Sequence, residues 1–512
     1  MTIVWTLLGA VGGVVIALVI FSLLRLRKGP AHSEISATLE SSSVTQESGS
    51  KLEQAPTADQ SAIKEVDIAV GVNQLKLSNI RSFTKFDVKF AGPLSTPTAG
   101  QWTLLLGDNG VGKSTILRAL VLALADPDVS TAVLQTQKSP APFIRRGTDE
   151  GKIDLRVNGN LKYTVKLTPG SASERLQVFG TAQERPGLFG YGPLRGSALG
   201  GSSRQVSFSA IDTVATLFDE SAQLIHAETW LGQRQLAALQ SRGGADEAFF
   251  EAVKQTLLGL LPGVESIKVK PEGVEMTGPE VGRGVPLGAV SDGYVGTIGW
   301  ILDLIARWSN RYQRLNGRPP DGSIATDMRG IVVVDEMGLH LHPRWQTSVV
   351  KDVRDCFPNM SFIVTSHHPL LLLGARDGEI HVLRRDPETR DVVIEQANIP
   401  PGTTADQVLT GRWFNLPSTL DEDTKHLLAE HRKLLRAGKG EHDSKVAELE
   451  KTLRGRLGTF ADTSIDRMAL QVAAQVMEES ESTYQELTPQ QKEAIRQEMM
   501  EELRLRRSQM ET

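Results

Sequence analysis

TLLLGDNGVGKST, Thr103 to Thr115, decides the fold. Leu104, Leu105 and Leu106 form a short apolar run of the kind that makes a buried strand. They run into a turn that satisfies G-x-x-x-x-G-K-[ST], with Gly107, Gly112, Lys113 and Ser114 at its fixed positions. TILRALVLALA, residues 115–125, then shows helical spacing. Strand, glycine-rich loop and helix together make a phosphate cradle. Glycines let backbone N–H groups wrap phosphate oxygens without Cβ clashes, and the helix N-terminus favours anions. Lys113 brings a point charge to the phosphates, and the Ser114 hydroxyl is suited to a bound Mg²⁺.

A second stretch, IVVVDEMGLHLHP, Ile331 to Pro343, drives a buried strand into two adjacent carboxylates. A bare fold has little use for that, whereas a phosphate cradle needs an acidic strand end to hold Mg²⁺. Asp335 takes that role, and Glu336 stands where a base would activate an attacking water. His340 and His342 make a poor metal site by themselves.

The adjacent Asp–Glu pair resembles ABC-type ATPases of the AAA branch, near the RecF, OLD and SMC heads. Three further stretches carry the resemblance. VSDGY, Val290 to Tyr294, is similar to the family's signature loop. FIVTSHHP, Phe362 to Pro369, is similar to the strand that ends in a switch histidine. LSNIRSF, Leu77 to Phe83, is similar to the opening of such heads. The resemblance covers about residues 73–415. It implies ATP and Mg²⁺ as cofactors, with Arg81, Gly107, Asn109, Gly110, Gly112, Lys113, Ser114 and Thr115 around the nucleotide. Ser114 and Asp335 would hold the metal, and Lys113, Glu336 and His367 would serve hydrolysis. Ser291 and Gly293 would complete the site of a second copy, giving a homodimer with nucleotide between the heads. The chain departs from the family at His368, where a serine is usual. No glutamine loop can be placed; Phe143 to Ile153 (FIRRGTDEGKI) resembles its region but holds no glutamine. The separation of Lys113 and Asp335 leaves no room for long coiled-coil arms.

The rest of the chain sets the surroundings. Ile3 to Leu24 carries no charge and is followed by Arg25, Arg27 and Lys28. That length spans a bilayer as a helix, and the basic flank places the chain after Lys28 in the cytoplasm. A cleaved signal peptide is the alternative, but the apolar run is too long and its basic flank lies on the wrong side. Gly9 and Gly13 form a GxxxG pair, common both in helix dimers and in ordinary spanning helices. Residues 29–70 are rich in Ser, Ala, Glu, Gln and Thr and read as a flexible tether. KIDLRV and LKYTVKL predict a hairpin, residues 266–276 a second strand pair, and residues 296–313 an amphipathic helix. After about Gly411 the pattern is helical and charged. Asp421 and Asp423 fall at a helix start, where acids favour the helix dipole.

The expected organisation is therefore a transmembrane anchor (1–28), a linker (29–70), an α/β P-loop head of ABC-ATPase type with a helical lobe (71–415) and a helical C-terminal region (416–512). The formal net charge of −5 argues against a uniformly basic nucleic-acid surface. The lone Cys356 excludes an internal disulfide. Arg145–Gly147 and Arg307, Arg311 and Arg314 are the basic runs, and such runs are usually solvated faces. DNA is a candidate ligand by resemblance alone. The look-alikes, including the ATPase subunit of Septu-type systems, serve anti-phage defence or DNA maintenance, commonly with a separate nuclease or effector protein. The expected function is an inner-membrane ATPase whose paired heads control such a partner. A transport-associated ATPase and a non-hydrolysing scaffold are the alternatives. One spanning helix cannot build an alternating-access pore, and the presence of Lys113, Asp335, Glu336 and His367 argues against a silent scaffold.

Overall fold

The computed structural model describes residues 64–457, apart from 66–70, 91–99, 137–142, 158–160, 171–174, 181–183, 196–207, 318–319, 323 and 440–442. The apolar run Ile3–Leu24, the linker and the chain beyond Leu457 lie outside the described residues. Among those described, no helix is long and apolar enough to cross a membrane.

In chain order the main elements begin with strands β1 (Val72–Ile80), β2 (Phe83–Lys89) and β3 (Trp102–Gly107), then helices α1 (Lys113–Leu124) and α2 (Pro127–Thr136). Next come β4 (Gly151–Val157), β5 (Leu161–Thr168), β6 (Arg175–Gly180) and β7 (Leu188–Tyr191), followed by α3 (Ala227–Gln240) and α4 (Ala245–Leu260). Strands β8 (Ser266–Lys270), β9 (Gly273–Gly278) and β10 (Gly282–Pro286) precede the long helix α5 (Asp292–Asn316). After it lie β11 (Gly330–Val334), α6 (Val349–Cys356), β12 (Met360–Ser366), β13 (Ile380–Arg385) and β14 (Val392–Ala397). Helices α7 (Glu422–Arg436) and α8 (Ser444–Leu457) end the described chain.

The central sheet has six strands in the order β14-β13-β3-β12-β11-β7, parallel except for the β14 edge. Its alternate residues feed two cores. Val332, Val334, Phe362, Val364, Leu104 and Leu106 pack with α3, α4, α5 and α6 on one face. Ile331, Val333, Ile363 and Leu105 pack with α1 and the five-stranded antiparallel sheet β2-β1-β4-β5-β6 on the other. Burial on both faces is why these strands read as continuous apolar runs. Helix α1, buried almost all round, lies between the two sheets.

The expected 151–168 hairpin is β4–β5 in antiparallel register. The second strand pair is a three-stranded sheet, β8-β9-β10. Helix α5 starts at Asp292, earlier than the predicted residue 296, because the signature stretch itself opens the helix. Of the basic face expected on α5, only Arg314 is exposed. Arg307 and Arg311 are buried, and Arg307 Nε donates to Asp303 Oδ2 at 2.7 Å, one turn away. Asp303 also accepts from Tyr191 Oη and from the Ile225 amide, so Arg307 belongs to a buried polar node.

The chain divides into two compact units, with a boundary between Ser418 and Thr419. In the second unit α7 and α8 pair. Asp421 caps α7 by accepting from the Thr424 amide, as its place at a helix start predicts. His431 and Glu450 meet across the buried seam at 3.4 Å.

Candidate functional site

The parallel register brings the strand ends to one edge. Tyr191, Val334, Val364 and Leu104 lie in one cross-strand row, so Asp335, Thr365 and the Gly107 turn emerge together beyond it. At the β3 end the loop takes its shape from glycine. Gly107, Gly110 and Gly112 have φ of 149°, 76° and 113°. A Cβ on Gly112 would sit 2.6 Å from the Phe83 ring. Gly112 is the left-handed N-cap of α1 and supplies no side-chain cap, which leaves first-turn N–H groups for an anion.

The resulting cavity, about 330 Å³, is lined by Arg81, Ser82, Asn109, Gly110, Gly112, Lys113, Ser114, Thr115 and Glu336. Sequence reasoning named each of these except Ser82. Lys113 Nζ donates to the carbonyls of Gly107 at 2.7 Å and Asp108 at 3.3 Å, and lies 3.9 Å from Glu336 Oε1. Arg81 has a left-handed φ of 43°, and its guanidinium lies 5.0 Å over the Phe143 ring. Arg145, from one of the two basic runs, donates to the carbonyls of Arg81 and Ser82 and so braces this turn.

The β11 end is built differently. Asp335 is buried, and its Oδ1 accepts from Thr365 Oγ1 at 2.5 Å. The same hydroxyl accepts from the Glu336 amide at 2.9 Å, and the Met337 amide donates to the Thr365 carbonyl at 3.0 Å. Glu336 is left-handed, with φ 51°, although it has a side chain. Its Oε2 meets His367 Nδ1 at 2.7 Å. Nη2 of Arg195 donates to the carbonyls of both Asp335 (2.9 Å) and Glu336 (2.7 Å). Burial outweighs the opposing pull of the Asp335 and Glu336 charges and lowers the Arg195 guanidinium to about 10, so it stays protonated at neutral pH. His368 is held below its ordinary value by burial and by the neighbouring His367. Its Nδ1 lies 3.3 Å from Gln346 Nε2.

A buried carboxylate at a strand end and a serine hydroxyl on the phosphate loop are oxygen donors that fit Mg²⁺, and the uncapped helix N-terminus fits the phosphates of a nucleotide that would carry it. Among the described residues no cluster of three metal-ligating side chains occurs, and His342 Nδ1 instead accepts from the Arg344 amide.

Ser291 and Gly293 do not line this cavity. Ser291 is exposed at the start of α5, and Gly293 is buried where a Cβ would come 2.5 Å from the His340 carbonyl. The signature stretch therefore leans on the turn after Asp335. The segment Phe143–Ile153 is not beside the acidic strand. Ile144 bridges Ile80 at the antiparallel sheet, and the neighbour of β11 is β7. The loop after β7 carries Arg195. Sequence reasoning missed both Thr365 and Arg195. Thr365 left a signal, a lone hydroxyl in the apolar run FIVT; Arg195 left none.

Two family models match. One is described as AAA domain, over residues 74–183. The other is described as "AAA domain, putative AbiEii toxin, Type IV TA system", over residues 205–373. Each match covers less than half of the chain, and together they fall on the segments that carry the glycine loop and the acidic strand. Septu protein PtuA of Bacillus mycoides (strain KBAB4) is 27% identical over 359 residues, 69% of this chain and 46% of that protein. Retron Vc95 probable ATPase of Vibrio cholerae serotype O1 biovar El Tor is 31% identical over 126 residues, 24% of each chain. The chain thus spans less than half the length of these curated relatives. A solved SMC head domain from Thermotoga maritima, 14% identical, covers 64% of this chain and 99% of its own with a TM-score of 0.36.

Proposed function

We propose that the chain binds and hydrolyses ATP with Mg²⁺, and that nucleotide between two copies pairs their heads and controls a partner in an anti-phage defence system. The observation that carries this reading is the convergence of Lys113, Glu336 and His367 on one glycine-cradled cavity. Lys113 exchanges the carbonyls of Gly107 and Asp108 for phosphate oxygens. Ser114 and Asp335 would hold Mg²⁺, which would supply charge neutralisation at the phosphates. Glu336 takes the proton of the attacking water as its oxygen bonds to the γ-phosphorus and ADP leaves. His367 fixes the rotamer of Glu336 through Oε2. Ser291, exposed and outside its own cavity, is free to reach the nucleotide of a second copy. The Septu and retron likenesses support the defence setting, a separate nuclease or effector as partner, and DNA as a further candidate. Residues 3–24 anchor the chain in the inner membrane with the head in the cytoplasm, which predicts that extraction from membranes requires detergent.

Sedimentation of the full chain carrying Glu336→Gln tests the pairing. A doubled mass with ATP, reversed in a Ser291→Arg variant, is expected; a monomer at saturating ATP contradicts it.

A further inference from the structure

We propose that Arg195 is a positioning residue that presets Glu336 for hydrolysis by holding its backbone, without touching nucleotide. The inference rests on the ATPase reading above.

Glu336 adopts a left-handed conformation, which a residue with a side chain disfavours relative to the right-handed one. Such a conformation persists only where the surroundings over-determine it. On the amide side Thr365 supplies the restraint, since its hydroxyl accepts from Glu336 and its carbonyl accepts from Met337. On the carbonyl side the restraint is Arg195. One nitrogen, Nη2, bridges the successive carbonyls of Asp335 and Glu336, which fixes the peptide planes on both sides of the Glu336 Cα. With those planes fixed, the Cα–Cβ bond has one direction, toward His367 and Lys113.

Arg195 is itself held. Its Nε donates to the Gly192 carbonyl at 3.1 Å, and its guanidinium lies 6.0 Å from the Trp300 ring of α5. Gly192 packs so closely on the Thr216 carbonyl that no Cβ fits there, and the Asp335 amide donates to the Tyr191 carbonyl at 2.8 Å. The loop after β7 is thereby locked to the strand it serves. Arg195 does not line the nucleotide cavity, so its effect must pass through Glu336. A lysine at this position would keep the charge but lose the planar fork that serves three carbonyls at once.

The test uses the full chain. Arg195→Met keeps volume against Trp300 and removes every donor. Its affinity for a fluorescent ATP analogue should stay within about 3-fold of the unsubstituted chain while kcat falls about 100-fold, the scale of an ångström of misplacement. Arg195→Lys should recover part of the rate. Combined with Glu336→Gln, Arg195→Met should lower turnover no further than Glu336→Gln alone, because both act through one group. An unchanged kcat, a further loss in the double variant, or loss of nucleotide binding would each overturn the proposal, the last by making Arg195 merely structural. If the unsubstituted chain shows no turnover, the ATPase reading fails by itself. Amide exchange at Glu336 and Met337 then decides Arg195: about a 10-fold rise in Arg195→Met supports it, and unchanged exchange overturns it.

Discussion

The two loops that face each other across the nucleotide cavity reach left-handed backbone by opposite routes. The loop at the β3 end does so with Gly107, Gly110 and Gly112, residues that visit positive φ at little cost. The turn at the β11 end does so at Glu336, whose conformation is imposed by Thr365 and Arg195, residues far away in the chain. The difference follows from the tasks proposed for them. A phosphate cradle needs bare backbone N–H groups, so side chains can be dispensed with. A general base needs its carboxylate, so its backbone must be held from outside. The first loop is encoded locally and the second by tertiary contacts.

Four substitutions and conditions sharpen that contrast, taken from the largest expected effect to the smallest. Lys113→Ala removes the ammonium that reaches into the cradle, and nucleotide affinity should fall at least about 100-fold, the scale of losing a buried charge-assisted contact. Isothermal titration with ATP checks it; retained affinity would mean that the loop backbone alone suffices. Gly112→Ala adds a Cβ at φ 113° against the Phe83 ring, and denaturant unfolding should show a loss of about 2 kcal/mol or more together with weakened nucleotide binding. Thr365→Val, nearly isosteric, leaves the Glu336 amide without an acceptor and Asp335 without a donor. It should cost about 1–3 kcal/mol and reduce kcat more than KM; an unaltered rate would show that Thr365 is dispensable to the turn.

The smallest effect is one of pH. His368 titrates below its ordinary 6.5, so the fold favours the neutral ring, whose Nδ1 faces the Gln346 amide nitrogen. Its contribution is present above about 6.5 and is lost as pH falls through and below that value, since the opened state then binds more protons. Amide exchange corrected for its intrinsic pH dependence should quicken in residues 336–341 between about pH 7.5 and 5.5, while residues 109–113, shaped by uncharged dihedral angles, should not respond. Equal responses in both loops would erase the distinction.

The same contrast explains what the sequence disclosed. The glycine loop, the acidic strand and His367 follow each other as local patterns, and the register of β3, β11 and β12 gathers them where the patterns require. Both-face burial was legible in the unbroken apolar runs. Strand β7 escaped notice because LFGY is four residues long and its importance comes from pairing with β11. Arg195 lies just beyond it with no periodicity to mark its role. Arg307 and Arg311 carried a misleading signal: charge on a helix usually means solvent, and only the packed position of Asp303 and Tyr191 shows that this charge is buried. Asp421 was legible because a cap is a local device.

The most direct test of the account measures binding and turnover together, as phosphate release from saturating MgATP by the unsubstituted chain and by Glu336→Gln, with bound nucleotide quantified in both. The account predicts steady release by the first and at least about a 100-fold loss in the second, with nucleotide still bound. Equal release from the two chains, or nucleotide bound by both with release from neither, would contradict it.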